Sequence, residues 1–133
     1  SLKEEEESNN FIKWYQPKAG PYNTTPVVYN GIYYLLLDQG MISTYDSKTG
    51  KQFYDRIRFP RGASFTSSPW GYKDKLFCLA ENGKTYVLKA GKEFEILHVN
   101  DLDELCMTCP AIVGGQLLIR TESAVYCISD SKK

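Results

Sequence analysis

The chain has 133 residues, 42% of them hydrophobic and 14% aromatic, and its sixteen basic and sixteen acidic side chains cancel. That length suits one domain with a core of its own, and the balanced charge gives no general field for nucleic acid or an anionic membrane surface. No run approaches the roughly 18 apolar residues of a membrane span, so neither a nucleic-acid partner nor direct membrane insertion is expected.

Residues 1–10, SLKEEEESNN, hold four consecutive glutamates and nothing to bury, which reads as a solvated acidic lead-in. From residue 11 onward the chain repeats itself. Three segments align, starting at Thr24, Thr66 and Thr108, and their prolines Pro26, Pro69 and Pro110 are separated by 43 and 41 residues. That spacing is close to the ~40–45 residues of one blade in a WD-type β-propeller. Ten tyrosines and six phenylalanines suit half-buried pleated surfaces better than helices.

Each unit reads as four short strands. Strand A follows the proline at Val27 to Tyr29, Trp70 to Tyr72 and Ala111 to Val113. Turns at Asn30-Gly31, Lys73-Asp74 and Gly114-Gly115 lead to strand B, at Ile32 to Leu37, Leu76 to Ala80 and Leu117 to Arg120. Asn-Gly is the strongest two-residue hairpin signal, because such turns need positive φ. Strand C is expected at Ile42 to Tyr45, Thr85 to Leu88 and Val125 to Ile128, and strand D at Gln52 to Phe59 and Glu93 to Val99. The third unit, 108–129, has no strand D. Its counterpart is sought at the other end, where Trp14 to Pro26 aligns without gaps on Ile57 to Pro69, so that 11–16 reads as a lone strand D. The units are then 11–16, 24–60, 66–99 and 108–129 of a repeat region over 11–133. The expected class is all-β, with about three four-stranded antiparallel propeller blades forming part of a larger ring.

Tyr45-Asp46-Ser47-Lys48-Thr49-Gly50-Lys51 resembles the repeat of pyrroloquinoline-quinone-like propellers. In that repeat a strand C ending in aspartate is followed by a Thr-Gly turn and a strand D carrying tryptophan. Asp46, Thr49 and Gly50 match; Gln52 stands where glutamate is usual and Tyr54 where tryptophan is usual. The second unit keeps Gly91, Lys92 and Glu93 with Lys89 in place of the aspartate, and in the third Ser129 replaces it. The resemblance implies that Tyr54 docks one blade onto the next. Asp46 is expected to bind backbone N–H groups within its turn, and Gly50 to supply φ freedom.

The same resemblance raises a quinone cofactor, as in quinone-dependent alcohol dehydrogenases, but the adjacent Cys-Cys pair of those enzymes is missing, and no cofactor is expected from these residues. Relatives also include bacterial outer-membrane assembly lipoproteins, which act as scaffolds. Exported relatives imply a periplasmic or secreted location. The leading expectation is therefore a non-catalytic scaffold that binds a protein or saccharide. The alternative is a piece of a quinoprotein-type dehydrogenase or other catalytic propeller whose active residues lie in other blades. A sensor ectodomain is a third reading.

Cys106-Met107-Thr108-Cys109 has the spacing of half a zinc site or a redox dithiol. In the repeat, however, Cys106 falls on Phe65 and Tyr22, and Cys109 on Ser68 and Thr25, which are packing and pre-proline positions. Cys78 and Cys127 fall on strands. His98, the single histidine, has no motif to pair with, and Asp101, Asp103 and Glu104 read as a solvated loop. Propeller topology puts the D-to-A and B-to-C loops on one rim and strand A at the channel. The rim then holds Lys18, Arg61, Asp101, Arg120 and Glu122, with Trp70 near the channel. Trp70, Arg61 and Arg120 are the candidate ligand contacts; Asp46, Thr49, Gly50 and Tyr54 form the structural motif. Three blades close a ring poorly, so the partners expected are missing blades of a longer chain or further copies of this one.

Overall fold

The structure is a computed structural model that describes residues 11–130; the acidic lead-in lies outside the described residues. Three antiparallel sheets follow one another along the chain. The first is β1 (Val27–Tyr29), β2 (Ile32–Leu37), β3 (Met41–Asp46) and β4 (Gln52–Arg58), in that spatial order. The second repeats it with β5 (Trp70–Tyr72), β6 (Lys75–Leu79), β7 (Lys84–Lys89) and β8 (Ile96–Asp101). The third has β9 (Ala111–Val113), β10 (Gln116–Arg120) and β11 (Val125–Ser129), with β10 in the middle. These are β-propeller blades, the last of them with three strands among the described residues.

Local backbone chemistry sets the inner hairpins. Asn30 and Gly31, Lys73 and Asp74, and Gly114 and Gly115 all have positive φ, so each A-to-B turn places two consecutive residues in the left-handed region. That is the geometry whose twist suits a two-residue hairpin. The same period-two logic makes the blades stack. Tyr34 and Leu36 of β2 face the second blade, where they meet Leu76 and Cys78 of β6, with Phe59 and Phe65 in the same buried cluster. Leu35 and Leu37, pointing the other way, form a separate cluster with Tyr45. Leu79, Cys106 and Ile119 seal the second blade to the third.

Two strand assignments differ from the sequence reading. Strand D of the second blade starts at Ile96 and not at Glu93, because Phe94 turns inward to meet Phe59 at 5.6 Å and Tyr54 at 6.1 Å. Residues 12–16 form no strand at all. No ladder partner lies beside them, and the segment instead follows the outer face of the first blade, where Trp14 meets Tyr33 and Tyr45 with ring centroids 5.9 and 6.4 Å away. Aromatic burial there takes the place of ladder pairing.

Blade-to-blade hydrogen bonds recur at the repeat spacing. The Thr25 N–H donates to Ser68 Oγ at 2.8 Å, and the Ser68 N–H donates to Cys109 Sγ at 3.1 Å. Each pre-proline residue thus hands its backbone donor to the side chain at the same position one blade on. Tyr29 bridges the first two blades as well: its hydroxyl accepts from the Asp74 N–H at 3.0 Å, and its ring lies against Gly71, where a Cβ would fall 2.4 Å from ring atoms.

Candidate functional site

The D-to-A loops and B-to-C turns meet on one rim, held by acid staples. Asp38, in the first B-to-C turn, accepts from the backbone N–H groups of Tyr22 and Asn23 at 2.6 and 2.7 Å. Those bonds lower its pKa even though burial opposes them. Glu81, at the equivalent place in the second blade, accepts from the hydroxyls of Ser64 and Thr66 at 2.9 and 2.6 Å.

The third blade reverses the arrangement. Thr121 occupies the turn position and Glu104, on the D-to-A loop, supplies the carboxylate. Glu104 accepts from the Thr121 hydroxyl, from Ser123 at 2.6 Å and from Tyr126 at 2.9 Å. Bonds from Ser123, Thr121 and Tyr126 hold its pKa down to about 2. Asp101 and Asp103 are exposed, as the sequence reading of a solvated loop expects, whereas Glu104 is tied to the third blade by these hydrogen bonds to its charged form. A carboxylate opposite Thr-x-Ser was the signal available in the sequence.

At the C-to-D turn of the first blade, Asp46 Oδ1 accepts from the N–H groups of Lys48 and Thr49 at 3.0 and 2.8 Å and from the Thr49 hydroxyl at 2.9 Å. Gly50 has φ +70, and its N–H donates to the Asp46 carbonyl. Trp14 rests on this turn. Its Nε1 donates to the Ser47 carbonyl at 3.1 Å, and a Cβ on Gly50 would fall 2.7 Å from its ring atoms. Trp14 escaped the sequence reading, although it is one of only two tryptophans and sits in the segment aligned with strand D. Tyr54 lies between the first and second blades, and burial raises the pKa of its hydroxyl. In the second blade Lys89 closes the corresponding turn, its N–H donating to the Glu95 carbonyl at 3.0 Å.

The candidate ligand contacts do not converge. Trp70 stacks on Phe77 at 5.4 Å and 10° and lines a cavity of about 210 Å³ with Ile112, Leu117 and Ile128, between the second and third blades. Arg120 lines a different cavity with Leu105, Met107 and Glu122, and Arg61 is exposed on the loop between β4 and β5. His98 is exposed on β8. All four cysteines are free; Cys78 and Cys106 are buried, Cys109 and Cys127 exposed.

The rim carboxylates Asp38, Glu81 and Glu104 already serve their own loops, and among the described residues no group of three or more His, Cys, Asp or Glu could hold a metal ion. Also among the described residues, no helix is long and apolar enough to cross a membrane.

No family model and no curated protein matches this chain. Solved structures do. The quinohemoprotein alcohol dehydrogenase of Comamonas testosteroni superposes with a TM-score of 0.58 at 17% identity, over 76% of this chain and 17% of that one. A second quinohemoprotein alcohol dehydrogenase, from Pseudomonas putida HK5, gives 0.58 at 15% identity over the same shares. BamB from Moraxella catarrhalis gives 0.53 at 13% identity, over 77% of this chain and 41% of BamB. The chain therefore spans less than half the length of any of the three. Three sheets of like topology, stacked at a repeat of about 40 residues and superposing on these structures, give it the fold of the pyrroloquinoline-quinone-like β-propeller repeats.

Proposed function

We propose that the protein is a binding and assembly module without chemistry of its own, which joins further propeller blades through its third blade and presents its rim to a partner. The observation that carries this reading is the outer edge of β11. Among the described residues no strand pairs with the outer edge of its Val125 to Ile128 stretch, whereas the equivalent strands β3 and β7 are paired by β4 and β8. Val125, 69% exposed, and Val113, 58% exposed, lie on the blade face that turns away from the second blade. A sheet edge without lysine or proline is a template for another strand. Its occupant in this reading is a strand D and the blade behind it, from the same ring.

In this reading a protein or saccharide partner large enough to touch separate points meets Arg61 and Arg120 as cationic contacts and Trp70 as an aromatic one. A location outside the cytoplasm goes with this reading and rests on the resemblance.

Light scattering with hydrogen exchange tests the assembly. The isolated chain is expected to associate beyond its 15.2 kDa, with the β11 amides that point away from β10 protected only in the associated form, and Val125→Lys is expected to reverse the association. A folded monomer at all concentrations, with the outward-pointing β11 amides already protected, would overturn the reading.

A further inference from the structure

We infer that the joint between the second and third blades carries a binding site for a small neutral aromatic molecule of one or two rings. The inference is independent of the β11 edge and of any macromolecular partner at the rim. The site is the cavity of about 210 Å³ that Trp70 lines. Trp70, Tyr72 and Phe77 of the second blade form one wall, and Ile112, Leu117 and Ile128 of the third form the other.

The joint between the first two blades shows what the repeat does with the same positions. By strand register Val27 and Tyr34 correspond to Trp70 and Phe77, and Gly71, Leu76 and Leu88 to Ile112, Leu117 and Ile128. There Tyr34, Leu76 and Leu88 are buried, and the Tyr29 ring lies against Gly71, which has no side chain to hold it off. Ile112 puts a branched side chain where Gly71 has none, and Trp70 puts an indole in the place of Val27. The approach that Tyr29 makes is closed to its counterpart Tyr72, whose ring is 49% exposed with the Lys73 ammonium 5.1 Å from its centroid. Ile128, the counterpart of the buried Leu88, is 44% exposed. The second joint thus keeps open an apolar slot that the first closes, and covering such surface gains ~25 cal/mol per Å².

Ring closure does not reach the slot. Both walls belong to blades that the chain itself supplies, and β8 lines no part of it. A strand D beside β11 would meet β8, as Phe94, ahead of the second blade's strand D, meets Tyr54 of β4.

The ligand class follows from the walls. Three aromatic side chains on one side favour a ring, which meets them edge-to-face or offset-stacked and gains more than an aliphatic group of the same area. A dry cavity of ~150 Å³ holds benzene, so about 210 Å³ takes one ring or two fused ones. At the mouth Lys73 Nζ stands 3.7 Å from the Asp130 carboxylate, so a ligand charge of either sign would meet its like as well as its opposite. Gln116, at the same end, offers its amide to a ring hydroxyl or N–H.

The chain has two tryptophans, Trp14 and Trp70, so its two indole N–H signals in NMR separate this site from the first blade. Phenol and indole are expected to shift the Trp70 signal saturably and leave Trp14 unmoved, with cyclohexanol at least about threefold weaker than phenol. Ile128→Phe fills the slot and should weaken phenol at least about tenfold, with the melting temperature unchanged or raised. Trp70→Val, which carries the first blade's residue at this position, should weaken it as much in saturation-transfer spectra, and it decides the matter if Ile128→Phe does not fold. No saturable shift at Trp70, unchanged phenol binding in a folded variant, or cyclohexanol bound as tightly would overturn the inference. So would tighter binding of benzoate or benzylammonium than of phenol, and so would tighter binding of N-acetylphenylalanine amide, which would assign the slot to a side chain of a protein partner.

Discussion

Trp14 and Gly50 are in direct contact, the indole of the first lying where any side chain on the second would have to go. This contact, with the Nε1 bond to the Ser47 carbonyl, seats the N-terminal segment over the first blade and closes the aromatic cluster with Tyr33 and Tyr45. Trp14→Ala is expected to cost about 2–3 kcal/mol, below the range for a fully buried tryptophan because this ring is half-buried. Gly50→Ala should cost at least ~1 kcal/mol from its positive φ, plus displacement of the indole. Urea unfolding of both single variants and the double variant checks the coupling: the two losses should fall short of adding.

The joint between the first two blades makes a second steric prediction. Gly71→Ala would drive a methyl group into the Tyr29 ring, whose hydroxyl holds Asp74. A destabilisation of about 1–3 kcal/mol is expected, with Tyr29→Ala recovering part of it in the double variant. Thermal unfolding of the three variants measures this.

Glu104 makes the third blade sensitive to acid. Its folded pKa of about 2 lies below the ordinary value of 4.5, so the unfolded chain binds more protons between those values. Its contribution to stability is therefore complete above about pH 4.5 and is lost as pH falls toward 2. Asp38 and Asp46 act in the same direction, so the informative quantity is the difference from Glu104→Gln. Protection of the β10 and β11 amides, taken relative to the intrinsic exchange rate at each pH, should fall with acid in the wild type and be lower already, with a shallower pH slope, in the variant.

Thiol labelling should divide the cysteines into two pairs. Cys109 and Cys127 are exposed, whereas Cys78 and Cys106 are buried and burial raises the pKa of both thiols. At Cys109 burial also opposes ionisation, but hydrogen bonds from Ser68 and Ser67 outweigh it and lower its pKa. Alkylation at neutral pH should modify two thiols in the native state and all four after denaturation, since the thiolate is the nucleophile. Fast native alkylation of Cys106 would contradict this burial.

The blades were legible in the sequence because their determinants are local. The A-to-B turns are written in dipeptides that tolerate positive φ, and the alternation of β2 and β6 assigns one face to each neighbouring blade. Strand A of every blade begins and ends where its proline and turn residues place it. The misread elements depend on partners far along the chain. Phe11 to Tyr15 has the composition of a strand, yet the segment lies as it does because Trp14 finds Gly50 thirty-six residues on. Glu104 looked like one acid among several until Thr121, Ser123 and Tyr126 were folded against it.

By itself, then, the sequence determined the class of the protein, its repeat, and the hairpins that build each blade. Side-chain period and turn chemistry act over two to six residues and need no tertiary partner. Only the tertiary structure decided which acid staples which loop, which tryptophan rests on which turn, and how the buried Ser43 ties the Asp55 carboxylate to the Arg56 backbone. Those outcomes depend on hydrogen-bond geometry and ring contacts between segments that only stacking of the blades brings together.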